Sequence, residues 1–224
     1  METKKDISFI LPTNRDPASY AQRVVDNINS LSFYGKTHEI IVVGPTPVKG
    51  DNVVYLEDPE DATGCVAAYN EGYNISTGDY IILCSDDHYF DLSCPLVTEV
   101  LSSRSFANRK YKVVCLPTNK HGPCSLPEYT NCDSIIARYP VFTRQTIEEH
   151  LNGYIYHPLF RHHYPDNWLG FWLAKQGEPA LEINKFDMLT FSNSCDKGHD
   201  KHDEAVFKEL IAAYENGSQQ YVNQ

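Results

Sequence analysis

Positive charge is scarce in this 224-residue chain: 19 Lys and Arg stand against 30 Asp and Glu, a formal net charge of −11. A nucleic-acid binder needs a basic face to meet phosphates, so the balance argues against that class. Long hydrophobic runs are also missing. The stretch Ile7 to Leu11 near the N-terminus is too short for a secretory core or a membrane span, and no later run reaches membrane length, so no transmembrane segment is expected. The seven cysteines are odd in number and contain no CxxC pair, which points to neither a zinc site nor a complete disulfide framework. Cys84 and Cys115 sit inside apolar runs and are expected to be buried free thiols, consistent with a reducing cytoplasm. No internal repeat is present. Pro12-Thr13-Asn14-Arg15, which follows the first apolar run, has no glycine, whereas a loop that cradles a triphosphate is Gly-rich.

What is present is an alternation of short apolar runs and helical patterns. Ile7 to Leu11 reads as a buried strand ended by turn chemistry, and Ala18 to Leu31 carries Val24, Val25, Ile28 and Leu31 at helical spacing. Strands follow at Ile40–Val43, stopped by Gly44-Pro45, and at Val53–Leu56. Asp61 or Thr63 is expected to cap a helix running through Tyr73 and closed by Gly78, before a strand at Tyr80–Cys84. This order predicts an α/β domain with a mixed, mostly parallel central sheet flanked by helices and right-handed crossovers. Sites in such sheets lie beyond the carboxyl ends of the strands, which would gather residues 12–15, 44–46 and 85–88 on one rim. Further on, the pattern predicts a helix at Cys94–Leu101, strands at Tyr111–Leu116 and Ser134–Tyr139, and a Pro/Gly/Cys-rich loop from Pro117 to Asn131. Helices at Thr143–Leu151 and Asn167–Gln176, a strand near Phe186–Phe191 and a helix at Glu204–Tyr214 complete the chain. One domain is expected, parted at about residues 7–116 and 117–203, with 204–224 as a terminal helix and tail.

Ser85-Asp86-Asp87-His88 is the most informative segment. Adjacent carboxylates at the end of a buried strand are costly unless positive charge compensates them, and a divalent cation bridging a diphosphate does so. Upstream stand Ile10-Leu11-Pro12-Thr13-Asn14-Arg15, Ala68-Tyr69-Asn70-Glu71-Gly72 and Gly78-Asp79-Tyr80. Together these resemble the GT-A nucleotide-sugar glycosyltransferases, particularly the inverting family 2, over roughly Ile7 to Gly177. The family opens on a strand ending in Pro-Thr, carries an Ala-x-Asn-x-Gly helix and a Gly-Asp-Tyr turn, and then an acidic motif of DxD type.

The resemblance implies a GT-A fold, a nucleotide-diphosphate sugar donor with UDP-sugar favoured, a manganese or magnesium cofactor, and a glycan or other hydroxyl acceptor. In register with the family, Asp87 is the metal ligand and Asp86 a ribose or secondary residue, while an Asp-x-His reading would pair Asp86 with His88 on the metal. Without the resemblance, the Asp-Asp pair equally fits a solvated loop. Pro12, Thr13, Asn14 and Arg15 would meet base or phosphate. Asn70 would touch the base or brace the loop, and Glu57-Asp58 after the third strand has the same choice; all of these also fit ordinary turn chemistry.

Tyr164-Pro165-Asp166-Asn167-Trp168-Leu169-Gly170 resembles the family's acidic-x-x-Leu-Gly motif, which makes Asp166 the candidate general base of an inverting transfer. A helix N-cap is its structural alternative. In His199-Asp200-Lys201-His202-Asp203, His202 is a candidate third metal ligand, against a plain polar loop. Tyr154, Tyr156, His157, Phe160, His162 and His163 would line an acceptor pocket or belong to the core. The chain departs from the family after its second strand, where an Asp that reads the nucleotide base is replaced by Gly44-Pro45-Thr46-Pro47. The expectation is therefore a metal-dependent glycosyltransferase that adds a single sugar. A catalytically degenerate binding module of the same fold, or a nucleotidyltransferase, are the alternatives.

Overall fold

The computed structural model describes residues 4–14, 20–58, 64–92, 96–116, 137, 139–182, 188–190, 201–218 and 220–221. Strand β1 (Ile7–Pro12) alternates between two faces, as the period of two requires. Ile7, Phe9 and Leu11 pack with Val24, Val25 and Ile28 of helix α1 (Ala21–Asn29). Ile10 faces the other way, toward Val66, Tyr69 and Tyr73 of helix α2 (Cys65–Ile75). A strand covered on both faces is a continuous apolar run, which is why β1, β2 (His38–Gly44) and β4 (Tyr80–Leu83) are visible in the sequence. Gly72 is needed for this packing: a Cβ there would lie 2.6 Å from Ile10 Cγ2.

Among the described residues the main sheet has seven strands in the order β3-β2-β1-β4-β7-β6-β8. β3 is Val53–Glu57, and β1, β2, β3 and β4 are mutually parallel. β7 (Pro140–Thr143) enters antiparallel between β4 and β6 (Val113–Cys115), and β8 (Leu181–Glu182) runs parallel to β6. A second, two-stranded sheet pairs β5 (His88–Phe90) with β9 (Met188–Thr190). Helices α3 (Arg104–Ala107), α4 (Arg144–His150), α5 (Pro165–Lys175) and α6 (Lys201–Glu215) complete the description. The mixed, mostly parallel α/β sheet is the architecture expected from the sequence.

Several details differ. Helix α2 is entered through Gly64, at φ +98, whose missing side chain lets it lie on the Arg161 backbone; Asp61 and Thr63 lie outside the described residues. Its C-cap is Ser76 rather than Gly78. Gly78 instead lies against Ser8, where a Cβ would come within 2.5 Å of the backbone nitrogen. The helix expected over Cys94–Leu101 is a wide π-helical turn at Leu96–Leu101, with Cys94 outside the described residues. The strand expected at Ser134–Tyr139 falls largely outside them too, and the pairing strand begins at Pro140, where a missing N–H is tolerated at the first strand position. The loop expected from Pro117 to Asn131 lies wholly outside them.

Candidate active site

Strand order reverses at β1: the chain passes to β2 on one side, while β4 pairs with β1 on the other. Such a switch point opens a crevice at the carboxyl ends of the strands. Thr13 follows β1 and Ser85–Asp87 follow β4, so both line it. Thr13 Oγ1 donates a 2.8 Å hydrogen bond to Asp86 Oδ2, and both residues are buried. Asp87 is the more exposed carboxylate; its Oδ1 accepts from Ser85 Oγ at 2.6 Å and lies 2.6 Å from His88 Nδ1. Behind it the Tyr139 hydroxyl lies 3.0 Å from His88 Nε2 and 3.1 Å from Nδ1.

Asp86 Oδ2 is held by Thr13, and the buried His88 directs Nδ1 at Asp87 and braces it. Among the described residues no group of three or more His, Cys, Asp or Glu side chains is placed to hold a metal. A donor set of one carboxylate still fits a magnesium-type ion, which is held by one or two carboxylates together with substrate phosphates and water. His202 Nδ1 lies 3.0 Å from Asp203 Oδ1. His199 and Arg15 lie outside the described residues.

Pro12 is the last residue of β1 and Asn14 is exposed just beyond Thr13. Asn70 braces a loop: its Nδ2 donates to the Tyr156 carbonyl at 2.9 Å, while Oδ1 accepts from the N–H groups of Ile155 and Tyr156 at 3.1 and 3.2 Å. In the turn before it, the Tyr69 hydroxyl donates to the Cys84 carbonyl at 2.6 Å, directly before the acidic motif. Helix α2 thus ties Ser85–His88 to the segment that leads into α5.

Asp166 is the second residue of α5, not its cap. Tyr164 occupies the N-cap at φ +64 without a side-chain hydrogen bond, and Asp166 Oδ1 accepts from the Asn167 N–H at 2.9 Å. A carboxylate is favoured at this positive helix end. Burial pushes the Cys65 thiol at the start of α2 up to about 12, and the nearby Asp166 charge adds to it.

Of the proposed acceptor-lining residues, Tyr156, His157 and Phe160 are core. The His157 ring lies edge-on to Trp168, 6.2 Å away, and burial lowers its pKa to about 4. Tyr154 and His162 are exposed and His163 is half-buried.

The sequence pattern gave Asp203 no role, yet it is central. Its fully buried carboxylate accepts from three successive backbone N–H groups, those of Arg161 at 2.9 Å, His162 at 2.8 Å and His163 at 2.7 Å. Burial raises its pKa, but these bonds and His202 outweigh that and hold it below the usual carboxylate value. The only signal in the sequence is an acidic residue in the first turn of a helix. Tyr139 was likewise invisible, because its role depends on a contact across the fold.

No known family model matches the chain, and no characterised protein matches it in sequence. Solved structures do match. A structure of S. aureus TarS residues 1–349 aligns over 96% of this chain and 73% of its own length, with TM-score 0.60 and 11% identity. The same fragment in complex with UDP-GlcNAc aligns over 93% and 66%, with TM-score 0.64 and 11% identity. Mannosyltransferase PcManGT from Pyrobaculum calidifontis, in complex with GDP-Man and manganese, aligns over 97% and 66%, with TM-score 0.61 and 15% identity. With the strand order and the acidic segment after β4, these likenesses establish that the chain has the GT-A glycosyltransferase fold.

Proposed function

We propose that this protein is a metal-dependent glycosyltransferase that moves one sugar from a nucleotide-diphosphate donor to a hydroxyl acceptor with inversion. One observation carries the proposal: the paired carboxylates Asp86 and Asp87 lie at the switch-point crevice, one fixed by Thr13 and the other braced by Ser85 and His88. Structural neighbours bind UDP-GlcNAc in one case and GDP-Man with manganese in another, which supports a nucleotide-sugar donor and a divalent cation. UDP-sugar is the favoured donor, and a glycan or other hydroxyl compound the acceptor.

A bound manganese or magnesium ion would neutralise charge on the departing diphosphate. Asp87 would hold that ion, and the hydrogen bonds of Ser85 and His88 keep its carboxylate oriented. Asp86, locked by Thr13, would receive the ribose, with Pro12 and Asn14 beside it. Asp166, half-buried at the start of α5, would take the proton from the attacking hydroxyl. Hydrolysis of UDP-, GDP- and dTDP-sugars with manganese tests the class. Turnover that survives both Asp87→Ala and chelation of the metal contradicts it. Asp166→Asn should retain donor binding and lose transfer.

A further inference from the structure

A carboxylate in the first turn of a helix points wherever the rest of that helix is held. On α5, Trp168 and Trp172 lie four residues apart and share one buried face. Asp166 stands two positions before Trp168, about 200° round the helix, so the packing of that face sets the direction of its side chain. One residue that packs there comes from beyond α6. Tyr221 is buried; its ring stacks on Trp168 with centroids 6.3 Å apart and meets Trp172 edge-on at 5.4 Å.

Two hydrogen bonds make this seat specific. Trp168 Nε1 donates to the Tyr221 carbonyl at 3.2 Å, and the Tyr221 hydroxyl donates to the Ile155 carbonyl at 3.2 Å. One residue therefore joins α5 to the segment that precedes it. Ile155 is held from the other side as well, since its N–H and that of Tyr156 donate to Asn70 Oδ1 on α2. Tyr69, the residue before Asn70, holds the Cys84 carbonyl at the entry to the acidic motif. A continuous path of contacts thus runs from Cys84 through α2, Ile155 and Tyr221 to Trp168, two residues from Asp166. The carboxylate lies close to this path: burial raises the Tyr156 phenol well above its usual value, and the Asp166 charge adds to that shift.

We infer that Tyr221 is a positioning residue for Asp166, holding α5 at a fixed setting relative to the acidic segment after β4. This rests on the glycosyltransferase reading and goes beyond it. Tyr221 acts through Trp168 and Ile155, on the carboxylate that would take the proton. Thr13, Ser85, Asp86, Asp87 and His88 are held by contacts among themselves that do not involve Tyr221. Loss of the Tyr221 contacts should therefore misplace the base without loosening the donor, and a displacement of about 1 Å costs on the order of 100-fold in rate.

The test uses the full chain with Tyr221→Phe, which keeps the ring and removes only the bond to Ile155, and with Tyr221→Ala, each also combined with Asp166→Asn. The probes are UDP-, GDP- and dTDP-sugars with manganese, water serving as the attacking hydroxyl; turnover is read as nucleotide release and nucleotide affinity by calorimetry. Tyr221→Phe is expected to lower turnover about tenfold and Tyr221→Ala about 100-fold, with nucleotide affinity within about twofold of the parent. In Asp166→Asn the same changes should cost no more than about twofold, because the group they position is gone. Unchanged turnover in Tyr221→Phe and in a folded Tyr221→Ala overturns the inference and leaves the glycosyltransferase reading intact. So does a loss of turnover that is as large in Asp166→Asn, or one matched by an equal loss of nucleotide affinity. A parent protein that binds nucleotide with manganese but hydrolyses no donor overturns the positioning role, and one that does neither overturns both. Circular dichroism, with the emission of Trp168 and Trp172, the two tryptophans of the chain, separates a misplaced α5 from a lost fold; if Tyr221→Ala does not fold, Tyr221→Phe decides.

Discussion

Replacing Asp203 with Ala removes the grip of α6 on the loop before α5. Three partly buried hydrogen bonds of 2.7–2.9 Å run from the N–H groups of Arg161, His162 and His163 to one carboxylate. Bonds to a charged acceptor are worth about 1.5–3 kcal/mol each, and a stranded buried N–H costs about 1–3 kcal/mol. Water can reach part of this segment, since Arg161 and His162 are exposed, so the sum is discounted to roughly 3–5 kcal/mol. Against a typical stability of about 5–15 kcal/mol this is severe. The effect should spread, because the Arg161 carbonyl accepts from the Val66 N–H at 3.1 Å and so fixes the start of α2. Urea unfolding at pH 7 should show a lower midpoint with an unchanged slope, and Asp203→Asn, which keeps one acceptor oxygen, should lose about half as much. The pH dependence has a definite sign. The Asp203 pKa is lowered by folding, so its contribution is complete above the unfolded value of 3.8 and is lost as pH falls through the lower folded value. A loss below about 1 kcal/mol in Asp203→Ala would refute the reasoning.

Other perturbations follow from the same geometry. His157 is buried with a folded pKa of about 4 against 6.5, so stability is full above pH 6.5 and declines as pH falls toward 4. The decline should be at most roughly 3 kcal/mol, and urea midpoints measured across pH should flatten in His157→Phe. Thr13→Val keeps the shape of the side chain but leaves Asp86 without its 2.8 Å donor. Nucleotide affinity by calorimetry should fall about tenfold. Gly44→Ala places a methyl 2.5 Å from the Thr13 carbonyl and 2.8 Å from its Cγ2, so it should weaken nucleotide binding by displacing Thr13; unchanged affinity would show that the rim relaxes freely.

The first half was legible because its strands are buried on both faces and so appear as unbroken apolar runs. Ile7–Leu11 and Ile40–Val43 have no other reading, and Gly72 fits the motif because β1 leaves no room for a Cβ. The position of the acidic segment at the end of a buried strand was legible as well. The second half resisted for physical reasons. β7 is four residues long, starts on a proline and runs against β4, while β5 is three residues long and pairs with a strand about a hundred positions away. Such pairings leave no local periodicity. Side-chain partners were the least legible: whether Asn70 meets a ligand or a loop, and whether His88 binds an ion or a carboxylate, depends on contacts across the fold. Asp166 illustrates the limit, because a first-turn carboxylate and a general base look alike in sequence.

The central claim is that Asp87 holds a divalent cation against a nucleotide diphosphate. Its most direct test is calorimetry of UDP and GDP with the parent protein and Asp87→Ala, each with manganese and with chelator. The account predicts that at least one nucleotide binds the parent more tightly with manganese, and that this metal-dependent gain vanishes in Asp87→Ala while the fold is retained. Nucleotide binding that is indifferent to manganese, or a metal-dependent gain that persists in Asp87→Ala, would contradict it.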